Sequence, residues 1–168
     1  MKHFLILLSQ AVFVAASCTS EKIASPALTA DGRIGSVQIE VNYGAPSAKG
    51  REIFGSLVPY DEVWRTGANE NTTISFSEPV RILGHDVPSG TYGLFTTPGR
   101  DAWMLHLNSE HEEWGAYSYN ERNNVVSETL LPKKADSFQE RLLFSIEGTS
   151  VRLSWADLIL EIPIDPAN

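Results

Sequence analysis

Three polar segments of the chain carry the side chains best suited to binding a ligand or to catalysis. They span residues 42–51, 63–72 and 114–119, and each combines glycine or proline with charged, amide or aromatic side chains. Functional side chains concentrate on loops that a rigid scaffold positions. The segments therefore predict a polar ligand pocket, whose candidate residues are Lys49, Arg51, Trp64, Arg65, Asn69, Glu70, Trp114, Tyr117 and Tyr119.

The second segment holds the chemically most specific groups. Arg65 offers a planar set of donors that suits a carboxylate or a phosphate. Glu70 is the one candidate catalytic residue, because a buried carboxylate can serve as a general acid or base. The structural alternative is that Arg65 pairs with Glu70 across the loop, that Trp64 lies in the core, and that Gly67 provides a left-handed turn.

The histidines do not suggest a metal site. His106 and His111 are five residues apart, which places them on opposite faces of a strand, and His85 lies in an apparent turn. A metal site needs converging imidazoles and carboxylates. The sequence also contains no nucleophile elbow, phosphate loop or dinucleotide fingerprint. We therefore expect neither a bound metal nor a cofactor.

The elements that position these loops are strands. Val37, Ile39, Val41 and Tyr43 alternate with polar residues, which is typical of a half-buried strand. The same period recurs along the chain between turns rich in glycine, proline and aspartate, with a predicted turn at 83–86. This pattern predicts an all-β fold, an antiparallel sandwich or a jelly-roll-like barrel with a single domain.

Two irregularities are predicted near the C-terminus. The apolar positions change parity after Trp155, so residues 156–157 should form a β-bulge or a tight turn. Residues 137–142 could form one short helical turn. Elsewhere beyond the N-terminal segment, no stretch holds a helical period.

Length and charge limit the function classes. The chain has 168 residues, of which 42% are hydrophobic, enough for one domain with a substantial core. Lys plus Arg number 13 and Asp plus Glu number 21, which gives a net charge of −8. Such a chain lacks the basic surface that a nucleic-acid partner requires.

The N-terminus has the pattern of an export signal. A short basic start precedes an apolar stretch and small residues, and Cys18 follows them. We expect a lipoprotein signal peptide over residues 1–17, a lipidated (palmitate-bearing) Cys18 with a flexible tether over 18–31, and the β-sandwich domain over 32–168. Signal cleavage without lipidation is the alternative. The lipid would then be the domain's link to the membrane, at the outer membrane of the cell envelope and on either face of it.

Long motifs within 43–76, 88–99 and 114–119 resemble the bacterial family known as domain of unknown function 2911. The resemblance covers about residues 30–165. It implies an exported protein or lipoprotein of Gram-negative bacteria and singles out the same three polar segments. The family has no settled biochemical activity.

Three functions are compatible with these observations. The first is a module that binds a small polar ligand, carbohydrate-like or anionic, and it predicts that the candidate side chains of 63–72 and 114–119 converge on one concavity. The second is a periplasmic hydrolase that uses Glu70 with Arg65 or Lys49. The third is a structural or interaction lipoprotein, in which the charged residues are paired internally and no cleft lies beside them.

Overall fold

The fold is built from antiparallel strands joined by short turns. A computed structural model describes residues 25–112 and 114–167. The strands are β1 Ala27–Ile34, β2 Val37–Gly44, β3 Thr73–Phe76, β4 Val80–Ile82, β5 His85–Val87, β6 Gly90–Thr97, β7 Trp103–Asn108, β8 Asn124–Leu130, β9 Lys133–Glu147, β10 Ser150–Pro163 and β11 Asp165–Pro166. A single 3₁₀ turn, Glu121–Asn123, precedes β8. The all-β prediction is confirmed.

Six strands form the larger sheet, in the order β1-β2-β3-β6-β7-β8. Its register follows the period-two pattern, so that Val41 faces Ile74 and Ile39 faces Phe76 across β2 and β3. All four of these side chains are buried. A one-residue slip would expose the whole apolar set, which fixes the register of the sheet.

The second layer consists of the β9–β10 hairpin and a small sheet with the order β11-β4-β5. Both contribute to one apolar core with the inner face of the larger sheet, and its members include Phe144 of β9, Trp155 of β10 and Trp103 of β7. Burying one such side chain contributes about 1.5–3 kcal/mol. The architecture is a sandwich, and none of the sheets in the described ranges closes into a barrel.

The predicted bulge lies where the parity changes. The β9–β10 register shifts on both sides of Ala156, and this residue has a left-handed φ of 54°. The extra residue turns the apolar set of the second half of β10 back toward the core, where Leu160 and Ile162 are buried.

Three local predictions need correction. Strand β1 begins at Ala27, inside the segment predicted to be a tether, because its backbone pairs with β2 although its side chains show no apolar alternation. The turn at 83–86 is confined to Leu83 and Gly84, which both have positive φ, and β5 begins at the next residue. Residues 137–142 belong to β9 and are not helical.

The predicted signal peptide and Cys18 lie outside the described residues. Within 25–112 and 114–167, no helix is long and apolar enough to cross a membrane.

Candidate functional site

An open cavity of about 740 Å³ lies where the first strands of the larger sheet meet two loops. Strands β1 and β2 form one side, the loop at 68–71 forms the second, and His111, Glu112 and Trp114 form the third. The lining residues are Ser25, Ala27, Leu28, Thr29, Asn42, Tyr43, Gly44, Ala68, Asn69, Glu70, Asn71, Thr73, His111, Glu112 and Trp114.

Two glycines allow the 66–71 loop to lie directly against β2. The backbone N–H of Ala68 donates to the carbonyl oxygen of Gly44 over 3.1 Å, and a Cβ at Gly44 would overlap the carbonyl of Ala68. A Cβ at Gly67 would lie 2.5 Å from the hydroxyl oxygen of Thr72. Gly67 therefore serves close packing; the left-handed positions of this loop are Thr66 and Asn69.

Asn71 forms the buried floor of the cavity. The residue is 7% exposed, and among the described residues neither its Nδ2 nor its Oδ1 has a hydrogen-bond partner. The amide lies against Gly93 of β6, where a Cβ would be 2.7 Å from Nδ2. Leaving a buried polar group unpaired costs about 1–3 kcal/mol. Both amide atoms are enclosed, so a ligand would reach them by a turn of the side chain toward the cavity that Asn71 lines.

Two exposed aromatic rings mark one rim. Trp114 lines the cavity and is 63% exposed, while the neighbouring Tyr117 is 88% exposed. Their rings are nearly parallel, with an angle of 4° and a centroid distance of 6.4 Å. Large exposed aromatic surfaces are typical of binding sites.

The charges around the cavity are arranged unevenly. The exposed carboxylates Glu70 and Glu112 are on its lining, whereas no lysine or arginine of the described ranges is. Arg65 lies behind the aromatic rim, with its Nη1 3.9 Å from the position that a Cβ of Gly115 would occupy. Its buried Nε has no hydrogen-bond partner in the described part of the chain, and no ion pair joins it to Glu70 there.

The two cations of the first segment serve a different part of the fold. Arg51 donates from Nε to the carbonyl of Ala48 and from Nη2 to that of Ser47, over 3.0 and 2.7 Å. The backbone N–H of Lys49 donates to Glu140 of β9. These contacts fix the 45–51 loop to β9, and Arg51 borders a second cavity of about 610 Å³ there.

Trp64 belongs to the aromatic core. Its ring is stacked with Trp155 and lies edge-on to Phe54 and Trp103, at centroid distances of 6.0–6.4 Å. The indole N–H donates to the carbonyl of Gly67 over 3.0 Å, so it also holds the cavity loop. Trp64 thus has the structural role that was the alternative for it.

Tyr119 and His106 attach the 109–123 loop to the outer face of the larger sheet. The hydroxyl of Tyr119 accepts from Asn124 Nδ2 over 2.7 Å. The centroids of the Tyr119 and His106 rings are 5.7 Å apart. His106 is within 3.1 Å of the hydroxyls of Thr97 and Ser127. Burial lowers the pKa of His106 and raises that of Tyr119. This network holds the loop that presents Glu112 and Trp114 to the cavity.

The remaining histidines lie apart from this network. His85 is paired with Glu128 of β8 over 2.7 Å, and His111 lines the cavity. In the described ranges, no three His, Cys, Asp or Glu side chains are placed to hold a metal ion.

The structure thus brings together Asn69, Glu70 and Trp114, with Tyr117 and Arg65 beside them. Sequence reasoning did not identify Asn71 as a binding residue, because a buried amide in a loop gives no periodic signal. The glycines that face this loop from β2 and β6 were also missed. Their close contacts join residues far apart in the chain.

The comparisons with known proteins agree with these motifs. The family described as "Protein of unknown function (DUF2911)" matches residues 25–164, which include both cavity loops. No curated protein and no solved structure matches the chain significantly. Because the match covers nearly the whole folded domain, the chain belongs to this family of unknown function, DUF2911.

Proposed function

We propose that this protein is a binding module for a small, polar, carbohydrate-like ligand, which is held in the cavity above Asn71. The observation that carries the proposal is the buried amide of Asn71, which lines the cavity and is unpartnered in the described residues. A primary amide supplies two donors and an acceptor side by side. A pair of neighbouring hydroxyl groups on a sugar ring matches that arrangement.

The rim provides the second half of such a site. The exposed ring of Trp114, backed by Tyr117, offers a flat apolar surface for the C–H face of a sugar. The carboxylates of Glu70 and Glu112 can accept hydrogen bonds from further hydroxyls. An apolar wall with a few convergent polar groups is the usual composition of a small-molecule site.

The two other functions have less support. Glu70 is exposed at the rim, and Lys49 is on the loop that contacts Glu140 of β9, so of the two cations proposed for a hydrolase only Arg65 lies beside the same cavity. A purely structural role predicts paired charges and no cleft. In the described chain, Arg65 has no ion pair and an open cavity lies beside its loop.

The export signal and Cys18 support a location for this module. We propose that the domain is exported and attached by lipid to the bacterial cell envelope, at the outer membrane. The ligand would then be a saccharide of the envelope or of the surrounding medium.

The substitution Asn71→Ala tests the site. We expect the full-length protein to be stabilised by sugars in a thermal-shift screen, by about 2.7 kcal/mol at a ligand concentration of 100 times Kd. Asn71→Ala should abolish this stabilisation without lowering the apo melting temperature, because it removes an unpaired buried amide rather than a hydrogen bond.

The matched control is Asn123→Ala, which removes an amide that is bonded to Glu110 outside the cavity lining. This variant should keep the sugar response. Unchanged sugar stabilisation in Asn71→Ala, or the absence of any response across the hexoses, amino sugars and uronic acids, would contradict the proposed site.

A further inference from the structure

We infer that the ligand carries a carboxylate and that Arg65 recognises it, so the preferred ligands are acidic sugars. This inference rests on the proposed function, because it assigns the charge of the ligand bound in the same cavity. Its basis is the guanidinium of Arg65, whose Nε is buried and unpartnered in the described residues.

The position of Arg65 links it to the cavity. Its Nη1 is 3.9 Å from the Cβ position of Gly115, and the adjacent Trp114 lines the cavity. A Cβ at Gly115 would also lie 3.3 Å from the ring of Tyr117. The guanidinium therefore lies next to the aromatic rim, behind Gly115 and outside the cavity lining itself.

Two other arginines of the domain have the polar partners that Arg65 lacks. Arg152 has a buried Nε too, but its terminal nitrogens pair with Glu147 and with Glu161. Arg51 donates to two backbone carbonyls. A partly buried cation is normally paired, because removing it from water without a partner is unfavourable. In the described chain no carboxylate forms an ion pair with Arg65.

A carboxylate is the group that best completes this arrangement. The planar fork of a guanidinium binds both oxygens of a carboxylate at once, which a hydroxyl cannot reproduce. The exposed carboxylates Glu70 and Glu112 oppose an anion only weakly, because solvent and salt screen exposed charges. A ligand with hydroxyls over Asn71 and a carboxylate at the terminal nitrogens of Arg65 would engage both side chains, while the enclosed Nε stays out of its reach.

The experiment compares matched neutral and acidic sugars. Calorimetric titrations of the full-length protein, in a mild detergent, would use glucose against glucuronate, galactose against galacturonate, and N-acetylglucosamine against N-acetylmuramate. We expect the acidic member of at least one pair to bind at least tenfold more tightly. In Arg65→Gln the two members should bind equally, with the affinity for the neutral sugar retained.

Two further variants keep the test decisive if Arg65→Gln is unstable. Arg65→Lys retains the charge without the fork and should keep only part of the preference. Arg122→Gln removes an exposed cation near the same loop and should keep all of it. A preference that survives in Arg65→Gln or Arg65→Lys at full size would overturn the inference.

The outcomes also separate this inference from the function on which it rests. Equal binding of neutral and acidic sugars by the unmodified protein overturns the role of Arg65 and leaves the cavity as a sugar site. Failure of every sugar to bind overturns both. A tenfold preference that is lost in Arg65→Gln supports both.

Discussion

Gly93 shows how one missing side chain maintains the candidate site. A Cβ at this position would lie 2.7 Å from both Asn71 Nδ2 and the carbonyl oxygen of Glu110, and 2.9 Å from the ring of Phe95. Gly93→Ala should therefore displace the floor of the cavity and the start of the 109–123 loop. We expect a loss of about 1–3 kcal/mol in the free energy of unfolding, as for other overpacked positions.

The same variant should lose affinity for any ligand of the cavity, which calorimetry would measure beside chemical denaturation. Gly148→Ala is the control, because a Cβ there meets open space and only its φ of 58° disfavours the change. It should cost about 1–2 kcal/mol and leave the affinity unchanged. Wild-type stability in Gly93→Ala would show that the contact is relieved easily and would argue against a rigid floor.

At this scale the sequence predicted the loops better than the individual residues. Asn69, Glu70 and Trp114 were identified because polar and aromatic side chains between strands are visible in the sequence. The role of Asn71 depends on its burial beside Gly93 of β6, and that of Arg65 depends on its lack of a partner in the described chain. Neither property has a local sequence signal.

The element that most directly controls the cavity wall is the 109–123 loop, and the polar network around His106 holds it. Thr97, Ser127, Tyr119 and the carboxylate of Glu121 surround the imidazole. Burial lowers the pKa of His106 below its ordinary value of 6.5, and Glu121 opposes this shift in part. The folded protein therefore binds this proton less readily than the unfolded chain does.

The sign of the pH dependence follows from this difference. Well above pH 6.5, His106 is neutral in both the folded and the unfolded protein, and the stability is at its full value. As the pH falls below 6.5, the unfolded chain takes up the proton first and the free energy of unfolding decreases. The decrease is at most about 1.4 kcal/mol per pH unit. Glu161 adds a second loss only below 4.5, because hydrogen bonds from Lys133 and Arg152 lower its pKa.

Melting curves between about pH 7.5 and pH 5 would measure this dependence. In His106→Gln we expect a lower melting temperature at neutral pH and a flatter slope below pH 6.5, while His85→Gln, on the other side of β8, should keep the slope. An unchanged slope in His106→Gln would assign the acid sensitivity to other groups.

Prediction of the strands succeeded where one face of a strand is buried and failed where neither is. Strand β2 alternates buried and exposed positions along its length, and the bulge at Ala156 was visible as a change of parity. Strand β1 and the first half of β9 are largely exposed on both faces. Backbone pairing, rather than burial, defines these segments as strands, and pairing with distant residues leaves no local period.

The whole molecule combines an acidic domain with a proposed lipid anchor. The chain as a whole has a net charge of −8, so the domain gains no electrostatic attraction to an anionic lipid surface. Cys18 is seven residues before Ser25, which lines the cavity, so an extended segment between them would span about 25 Å at most. A lipid on Cys18 would therefore keep the cavity close to the membrane surface.

Replacement of the cysteine tests this arrangement. Cys18→Ser should release the protein into the soluble fraction of the envelope, because two or three acyl chains are needed for stable anchoring and the domain itself is repelled. Mass spectrometry of the wild-type protein should show a mature chain that begins at Cys18 and carries acyl groups. The isolated Cys18→Ser variant should retain the melting temperature and sugar affinity of the wild type. A wild-type protein found in the soluble fraction would contradict the proposed lipid anchor. So would a mature chain that begins at another residue and carries an unmodified Cys18 thiol. Either result would mean that the cavity is not held near the membrane.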